Sequence, residues 1–320
     1  MSVYKINVNQ LDGLLETMGR QRDVYVLTDR SQPIKDFFFP PAENMMRFQR
    51  EGQQIKMQTA KVADKPFVIF GARACDARSL TILDSVFLHE PLDPFYQKRR
   101  EVGIVITMAC TQPEETCFCG AFGIDGADPE GDISCLTQGE TLYLQPKTDK
   151  GQKLINELNE LLEPVAEEKE LQAKREEVRS LLQRLPFAQL DLSGFDGAHW
   201  REKFESPKWE ELSKACIGCG TCTFVCPTCQ CYDIRDRKEG DEVVRYRCWD
   251  SCMYSDFTLM AHGNSRKTQK ERFRQRFMHK LIYYPAEHEG VYSCVGCGRC
   301  LAKCPISMNI VKVAKALGGK

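Results

Sequence analysis

The sequence predicts an α/β domain, built from βαβ units on a mostly parallel sheet, followed by a mainly α-helical domain. Three observations predict it. Through the first 200 residues, apolar runs of strand length alternate with amphipathic helical stretches. From Trp209 onward the pattern reads as mostly helical, and most of the cysteines gather there. The chain has 320 residues, long for one domain and suited to two, so the domains are expected at 1–200 and 201–320.

YKINV (4–8) reads as a strand, and VNQLDGLLETMG (8–19) as an amphipathic helix with Leu11, Leu14, Leu15 and Met18 at helical spacing. VYVLT (24–28) is a second strand. The connection after it carries FFFPP (37–41), whose phenylalanines read as a buried anchor for a long loop. KPFVIFG (65–71) reads as a buried strand, DARSLTILDSVF (76–87) as a helix with Asp76 as N-cap, and VGIVITMA (102–109) as another apolar strand. Strand, helix, strand is a βαβ unit with parallel pairing. After the acidic, Gly-rich loop GIDGADPEGD (123–132) comes a short strand, TLYLQ (141–145). Residues 150–184, dense in Leu, Glu, Lys and Gln, read as one or two long helices forming a surface helical hairpin. Pro186 and DLSGFDGAHW (191–200) mark the boundary.

Composition narrows the function classes. A net charge of −1 argues against nucleic acid as the main partner. No apolar run approaches the roughly 20 residues of a membrane helix. MSVYKINVNQ lacks the basic and apolar regions of a signal peptide, so the expected location is the cytoplasm. There are 17 cysteines, in tight local clusters, where disulfide geometry would be strained. Clustered thiols in a large chain without an export signal point to metal. The five histidines, none at ligand spacing from another, count against mixed Cys/His zinc sites.

CIGCGTCTFVCP (216–227) and CVGCGRCLAKCP (294–305) both read C-x2-C-x2-C-x3-C-P, the ligand run of bacterial [4Fe–4S] proteins. Glycines at 218, 220, 296 and 298 let the chain wrap closely around a cuboidal cluster. Proline disfavours helical geometry in the residue before it, which turns that cysteine away from its local cluster and toward the other. One cluster then takes Cys216, Cys219, Cys222 and Cys304; the second takes Cys294, Cys297, Cys300 and Cys226. All eight positions are cysteine, so neither cluster offers an open iron, and the pair reads as a wire. The second domain is accordingly expected to be helical and ferredoxin-like. Structural zinc is the alternative that this doubled run disfavours.

The insert between the runs, 228–293, holds RKTQKERFRQRFMHK (266–280), read either as a helix that offsets cluster charge or docks an acidic partner, or as a solvated face. It also holds Cys229, Cys231, Cys248 and Cys252. Cys248 and Cys252 are spaced as one helical turn, which suits a further metal site; buried thiols beside the clusters are the ordinary alternative. In the first domain, Cys75 lies in GARACDARSL at a strand-to-helix turn, where free N–H groups would lower a thiol pKa. Cys110 closes the next strand of the βαβ unit, so the two are candidate neighbours, with the loop bearing Cys117 and Cys119 folded over them. Four thiols make a complete [4Fe–4S] set; zinc, a redox-active thiol pair or inert cysteines remain the alternatives. Cys135, alone in GDISCLTQ, carries no motif.

GARACDARSLTILDSVF, DPFYQKRRE, ACTQPEETCFCG, CPTCQCYDI, WDSCMYSDFTL and KERFRQRFMHK resemble the iron–sulfur β subunits of soluble [NiFe] sulfhydrogenases. They equally resemble the corresponding iron–sulfur subunits of anaerobic sulfite reductases and of heterodisulfide-reductase-linked flavin complexes. The resemblance runs from about residue 65 to the end and is weak over 1–60 and 145–205. It implies an electron conduit in an obligate hetero-oligomer, between a flavoprotein that oxidises NAD(P)H and a catalytic oxidoreductase subunit. It also implies that Cys75, Cys110, Cys117 and Cys119 matter, and so favours a third cluster beside the first two. The competing readings are a redox enzyme in its own right, using the N-terminal cluster or a bound flavin, and a redox sensor. No G-x-G-x-x-G, P-loop or nucleophile elbow supports the former, and no DNA-binding motif the latter.

Overall fold

The protein, a computed structural model, is described over residues 2–29, 31–62 and 64–318. It divides into two compact units that alternate along the chain: unit 1 takes 1–34, 64–192 and 294–299, and unit 2 takes 35–63, 193–293 and 300–320. In chain order the strands are β1 (Tyr4–Asn7), β2 (Asp23–Val26), β3 (Ala42–Glu51), β4 (Gln54–Thr59), β5 (Phe67–Ala72), β6 (Gly103–Met108), β7 (Ile133–Gln138), β8 (Thr141–Pro146), β9 (Glu163–Pro164), β10 (Tyr232–Glu239) and β11 (Glu242–Trp249), with a small hairpin at 259–264 besides.

Unit 1 is an α/β domain around a seven-stranded sheet in the order β2-β5-β6-β7-β8-β1-β9. The pairs from β2 to β7 are parallel, and β8, β1 and β9 extend the sheet antiparallel. Both faces of β5 and β6 are covered, which is why FVIFGA and GIVITM are near-continuous apolar runs rather than alternating ones. Its helices include α1 (Leu11–Gly19), α2 (Ala74–Phe87), α3 (Pro94–Val102), α4 (Asp149–Glu157) and α5 (Lys169–Gln183). Leu14 and Met18 of α1 and Leu154 and Ile155 of α4 pack with Val68, Ile106 and Leu144 in one core. Leu171 of α5 joins Val3, Leu136 and Tyr143 in another. Asp93 caps α3 by accepting from Phe95 N and Tyr96 N, with Pro94 preset at the first position. Arg100 of α3 then grips Asp84 of α2 through Nε and Nη2, at 2.8 Å each.

Two details differ from the sequence reading of this unit. Asp76 is not the N-cap of α2. The helix starts at Ala74, Arg73 is the N-cap, and Asp76 at the third position accepts from Arg73 N (3.4 Å). A single residue separates β5 from α2, a tighter turn than the apolar pattern indicates. Between α4 and α5, Glu163–Pro164 pairs with the edge of β1.

Unit 2 is where the expectation of a mainly helical second part does not hold. Its centre is an antiparallel sheet in the order β10-β11-β3-β4. YDIRDRKE and EVVRYRCW form a hairpin turned at Gly240 (φ +62), inside the insert read as mostly helical. A register shift between Arg245 and Tyr246 places Val244 and Arg247 both inward, at 0% and 1% exposure. Arg247 Nε donates to Glu43 Oε2 on β3 (2.8 Å), which makes that inward arginine tolerable. Phe38 and Phe39 of the FFFPP stretch are fully buried. Helices remain at Lys208–Lys214, α6 (Gln269–Met278) and Ile310–Leu317. Thr268 and Glu271 form a capping box on α6. Among the described residues, no helix is long and apolar enough to cross a membrane.

Candidate metal centres

In unit 1, β5 ends at Ala72, α2 begins at Ala74 and β6 ends at Met108. Cys75 and Cys110 therefore leave adjacent parallel strands at the same end of the sheet. Cys110 N donates to Gly126 O (2.8 Å) and Cys117 N to Glu114 O (2.9 Å), which folds the intervening loop over that end. Cys75, Cys110, Cys117 and Cys119 together line one cavity of about 200 Å3, walled by Arg73. A fifth thiol, Cys297, which the sequence assigns to the second run, lines the same cavity.

The segment 294–299 reaches this cavity by close backbone contact. Phe118 N donates to Gly296 O (2.8 Å). A Cβ on Gly298 (φ +74) would fall 2.4 Å from Thr116 O, and one on Gly296 (φ +57) 2.5 Å from Phe118 O. These glycines thus serve the approach to the 111–119 loop as well as the wrapping that the motif requires. Arg299 anchors the segment: its Nη1 lies 2.8 Å from Asp76 Oδ1, with side chains 4% and 2% exposed, and Nη2 donates to Gln32 O (3.2 Å).

Burial pushes the Cys75 thiol well above the ordinary thiol range, with Asp76 adding to it and Arg299 opposing. Burial also raises Cys110 and Cys117 and takes Cys119 to about 12. The expected lowering of Cys75 by the start of α2 is thus reversed, because desolvation of a fully buried sulfur outweighs the helix N–H groups. Metal ligation would replace the proton. A pocket that disfavours free thiolates would suit them with iron supplying positive charge.

In unit 2, Cys216, Cys219, Cys222 and Cys304 line a smaller cavity with Phe273 and Arg276, so the second run's last cysteine meets the first three of the first run. Gln269 Nε2 donates toward Cys216 Sγ (3.5 Å), and Cys304 Sγ to Met308 O (3.2 Å). Cys219 is exposed, and a hydrogen bond with Thr221 lowers its thiol pKa. Burial raises Cys222, with Arg276 opposing. The thiols assigned to the second cluster divide by unit: Cys294 and Cys297 belong to unit 1, Cys226 and Cys300 to unit 2.

Among the described residues, no three Cys, His, Asp or Glu side chains converge as one metal ion would require. A cuboidal cluster asks for no such convergence, because each thiolate takes its own iron. Arg276 provides a further test of fit. It is 3% exposed, Nη2 donates to Cys222 O (2.7 Å), and Nε and Nη1 have no partner. The thiols that act on it most strongly are Cys222, Cys300, Cys229 and Cys226. A buried guanidinium needs an anion, and a thiolate-ligated cluster supplies one. The residues present fit [4Fe–4S] groups.

Cys135 sits on β7 in the core of unit 1, 1% exposed, and burial alone raises it. Cys248 and Cys252 do not share a helical turn: Cys248 is on β11, opposite Asp233, and Cys252 follows in the next turn. Cys252 instead lies beside Cys231, and Cys229 beside Cys226. The basic stretch 266–280 is not simply a solvated face. Lys270 pairs with Glu210 (2.8 Å), whereas Arg276 and Lys280 turn inward.

Two comparisons with known proteins bear on these sites. The 4Fe–4S dicluster domain family matches residues 215–308. Over 291 residues the chain is 35% identical to the sulfhydrogenase 2 subunit beta of Pyrococcus furiosus, covering 88% of this chain and 81% of that protein.

Proposed function

The chain belongs to the family of sulfhydrogenase β subunits, and from that premise we propose that it is the electron-relay subunit of a cytoplasmic, anaerobic oxidoreductase complex. In this reading it carries electrons between a flavoprotein subunit that handles NAD(P)H and a catalytic subunit of hydrogenase, sulfite- or sulfur-reductase, or heterodisulfide-reductase type. Two [4Fe–4S] clusters occupy the dicluster runs, and a third is held by Cys75, Cys110, Cys117 and Cys119. Bound there, such clusters supply one-electron steps at potentials set by burial, charge and hydrogen bonds to sulfur.

The observation that carries the reading is the placement of Cys297. A cysteine of the second run lines the same cavity as Cys75 and Cys110 at the strand ends and Cys117 and Cys119 of the loop, so the third site adjoins the run rather than standing apart from it. The chain's own groups exclude water there: Cys75, Cys119 and Phe118 are buried, and the Arg299–Asp76 pair closes the base of the segment.

The test is anaerobic affinity purification with partner identification and iron and sulfide counts. Co-purification of a flavoprotein and a catalytic partner is expected, with at least about twelve irons per chain. Recovery as a stable monomer with substrate turnover of its own would falsify the relay reading. A count of about eight irons would remove the third cluster and keep the relay.

A further inference from the structure

The loop 216–222 of the first run is held from two sides. Gln269, at the start of α6, donates Nε2 toward Cys216 Sγ (3.5 Å), and its Oε1 lies 3.0 Å from where a Cβ on Gly218 would fall. On the other side Tyr254 Oη donates to Cys219 O (3.3 Å), and a Cβ on Gly220 would fall 2.8 Å from that same oxygen. What faces outward between these two is apolar. Ile217, 66% exposed, lines the first-run cavity together with Pro305 and Ile306. Cys219 is the one exposed cysteine among the described residues.

The small hairpin at 259–264 leads off from Tyr254 and returns to α6. Asn264 fixes its base: Nδ2 donates to Ser255 O (2.6 Å), and Oδ1 accepts from Arg266 N (2.9 Å). Arg272 of α6 then donates to Arg266 O and Lys267 O and, through Nη2, to Gln269 Oε1. Leu259 and Met260 stand out from the hairpin, 60% and 51% exposed. Exposed apolar side chains on both the loop and its bordering hairpin mark an interaction surface.

Charge at this rim is one-sided. Segments 214–228 and 300–309 carry Lys214 and Lys303 and no acid. Both lysines are exposed, as is Lys267, and none of the three enters an ion pair among the described residues. Segment 254–268 adds Arg266 and His262 against one acid, Asp256. Lys270, by contrast, is already matched by Glu210, and Glu271 serves the capping box of α6.

We propose, resting on the relay reading above, that this rim is an electron port that docks the acidic face of a redox protein carrying a one-electron cofactor. Ile217 supplies the apolar contact, and Lys214, Lys267 and Lys303 meet carboxylates on the partner. One electron crosses between the first-run cluster and the partner's cofactor: one is oxidised as the other is reduced, and no bond forms or breaks. Electron-transfer contacts are small and steered by charge, which suits a short apolar rim flanked by unpaired lysines. A basic face would meet like charge here and be rejected.

The test uses the complex purified anaerobically, with its cofactor-bearing partners identified. A zero-length carbodiimide joins an ammonium to a carboxylate in contact with it, and mass spectrometry reads the links. Lys214, Lys267 or Lys303 is expected to link to an Asp or Glu of a partner that holds a redox cofactor. Lys267→Glu combined with Lys303→Glu should keep the parent's iron count, raise that partner's dissociation constant roughly tenfold or more, and flatten its dependence on salt. Lys153→Glu, exposed on α4, should match the parent. No link from these lysines, or links only within the chain or to a partner without a redox cofactor, overturns the proposal and leaves the relay standing. Parent-like affinity of the double variant at full iron does the same. Where the double variant does not accumulate, the parent's cross-links decide alone. A chain that purifies without any redox partner removes the relay reading and this port with it.

Discussion

Gly298 shows how little room the strand-end pocket leaves. Its φ of +74 lies in the left-handed region, and a Cβ would meet Thr116 O at 2.4 Å, a backbone atom that moves only if the 111–119 loop moves. Gly123 has nearly the same φ, +68, and nothing within 4 Å of its Cβ position. The pair separates conformational strain from contact. Gly123→Ala should cost about 1–2 kcal/mol and leave iron content unchanged. Gly298→Ala should cost more and release about four irons, because the displaced loop carries Cys117 and Cys119. Iron counts beside thermal unfolding of the two variants check this; equal iron in both would detach the loop from the cluster. At this scale the sequence was most readable. The C-x2-C-x2-C-x3-C-P spacing is local chemistry, as is the strand-to-helix setting of Cys75. Unreadable were the signs of thiol pKa shifts and the Arg299–Asp76 pair, since both depend on burial by segments distant in sequence, Asp76 and Arg299 being 223 residues apart.

Elements were legible where their period lies within about ten residues and one partner explains it. The buried runs of β5 and β6, and the 3.6-residue period of α1, name themselves. The β10–β11 hairpin did not. Its outward residues are charged, a bulge at Arg245/Tyr246 breaks the alternation, and β4 is exposed along its length. Helix α6 carries a pH consequence. It runs on through a π-helical turn, His279–Tyr283. Burial holds His279 down to about 4, with Lys280, Arg266 and His288 adding to it, against an ordinary value of 6.5. The folded state prefers the neutral ring, so the stability His279 contributes is complete above about pH 6.5 and is lost as pH falls toward 4. Between pH 7 and pH 4.5 the parent should lose roughly 1–3 kcal/mol more than His279→Gln. Denaturant midpoints of the two chains across that range check it; parallel curves would mean that the ring protonates freely in the folded protein.

At the scale of the molecule, the order of motifs along the chain is a poor guide to which unit holds them. Residues 35–63 belong to unit 2 although they lie inside the N-terminal third, and 294–299 belong to unit 1 although the run they start ends in unit 2. No local pattern announces such an exchange, because it is decided by contacts between distant segments. Net charge misleads in the same way. A value of −1 suggests a neutral interior, yet unit 2 buries Lys35, Arg276 and Lys280 around its thiols. Reduction of an iron–sulfur group adds negative charge, so a buried cation beside it favours the reduced state. Removing the cation should make the potential more negative. Arg276 is the sharpest case: glutamine can still donate to Cys222 O, while the charge is gone. Arg276→Gln should lower at least one midpoint potential by about 60–120 mV, the equivalent of one to two tenfold changes for a one-electron couple. A buried charge is little screened, so the shift should persist at high salt. Arg272, half-buried and donating to Arg266 O, Lys267 O and Gln269 Oε1, is the control, and its glutamine variant should shift less. EPR-monitored redox titration of the anaerobic complex reads both. An unchanged or raised potential in Arg276→Gln, at full iron content, would mean that the buried cations hold the fold together without tuning the electron path.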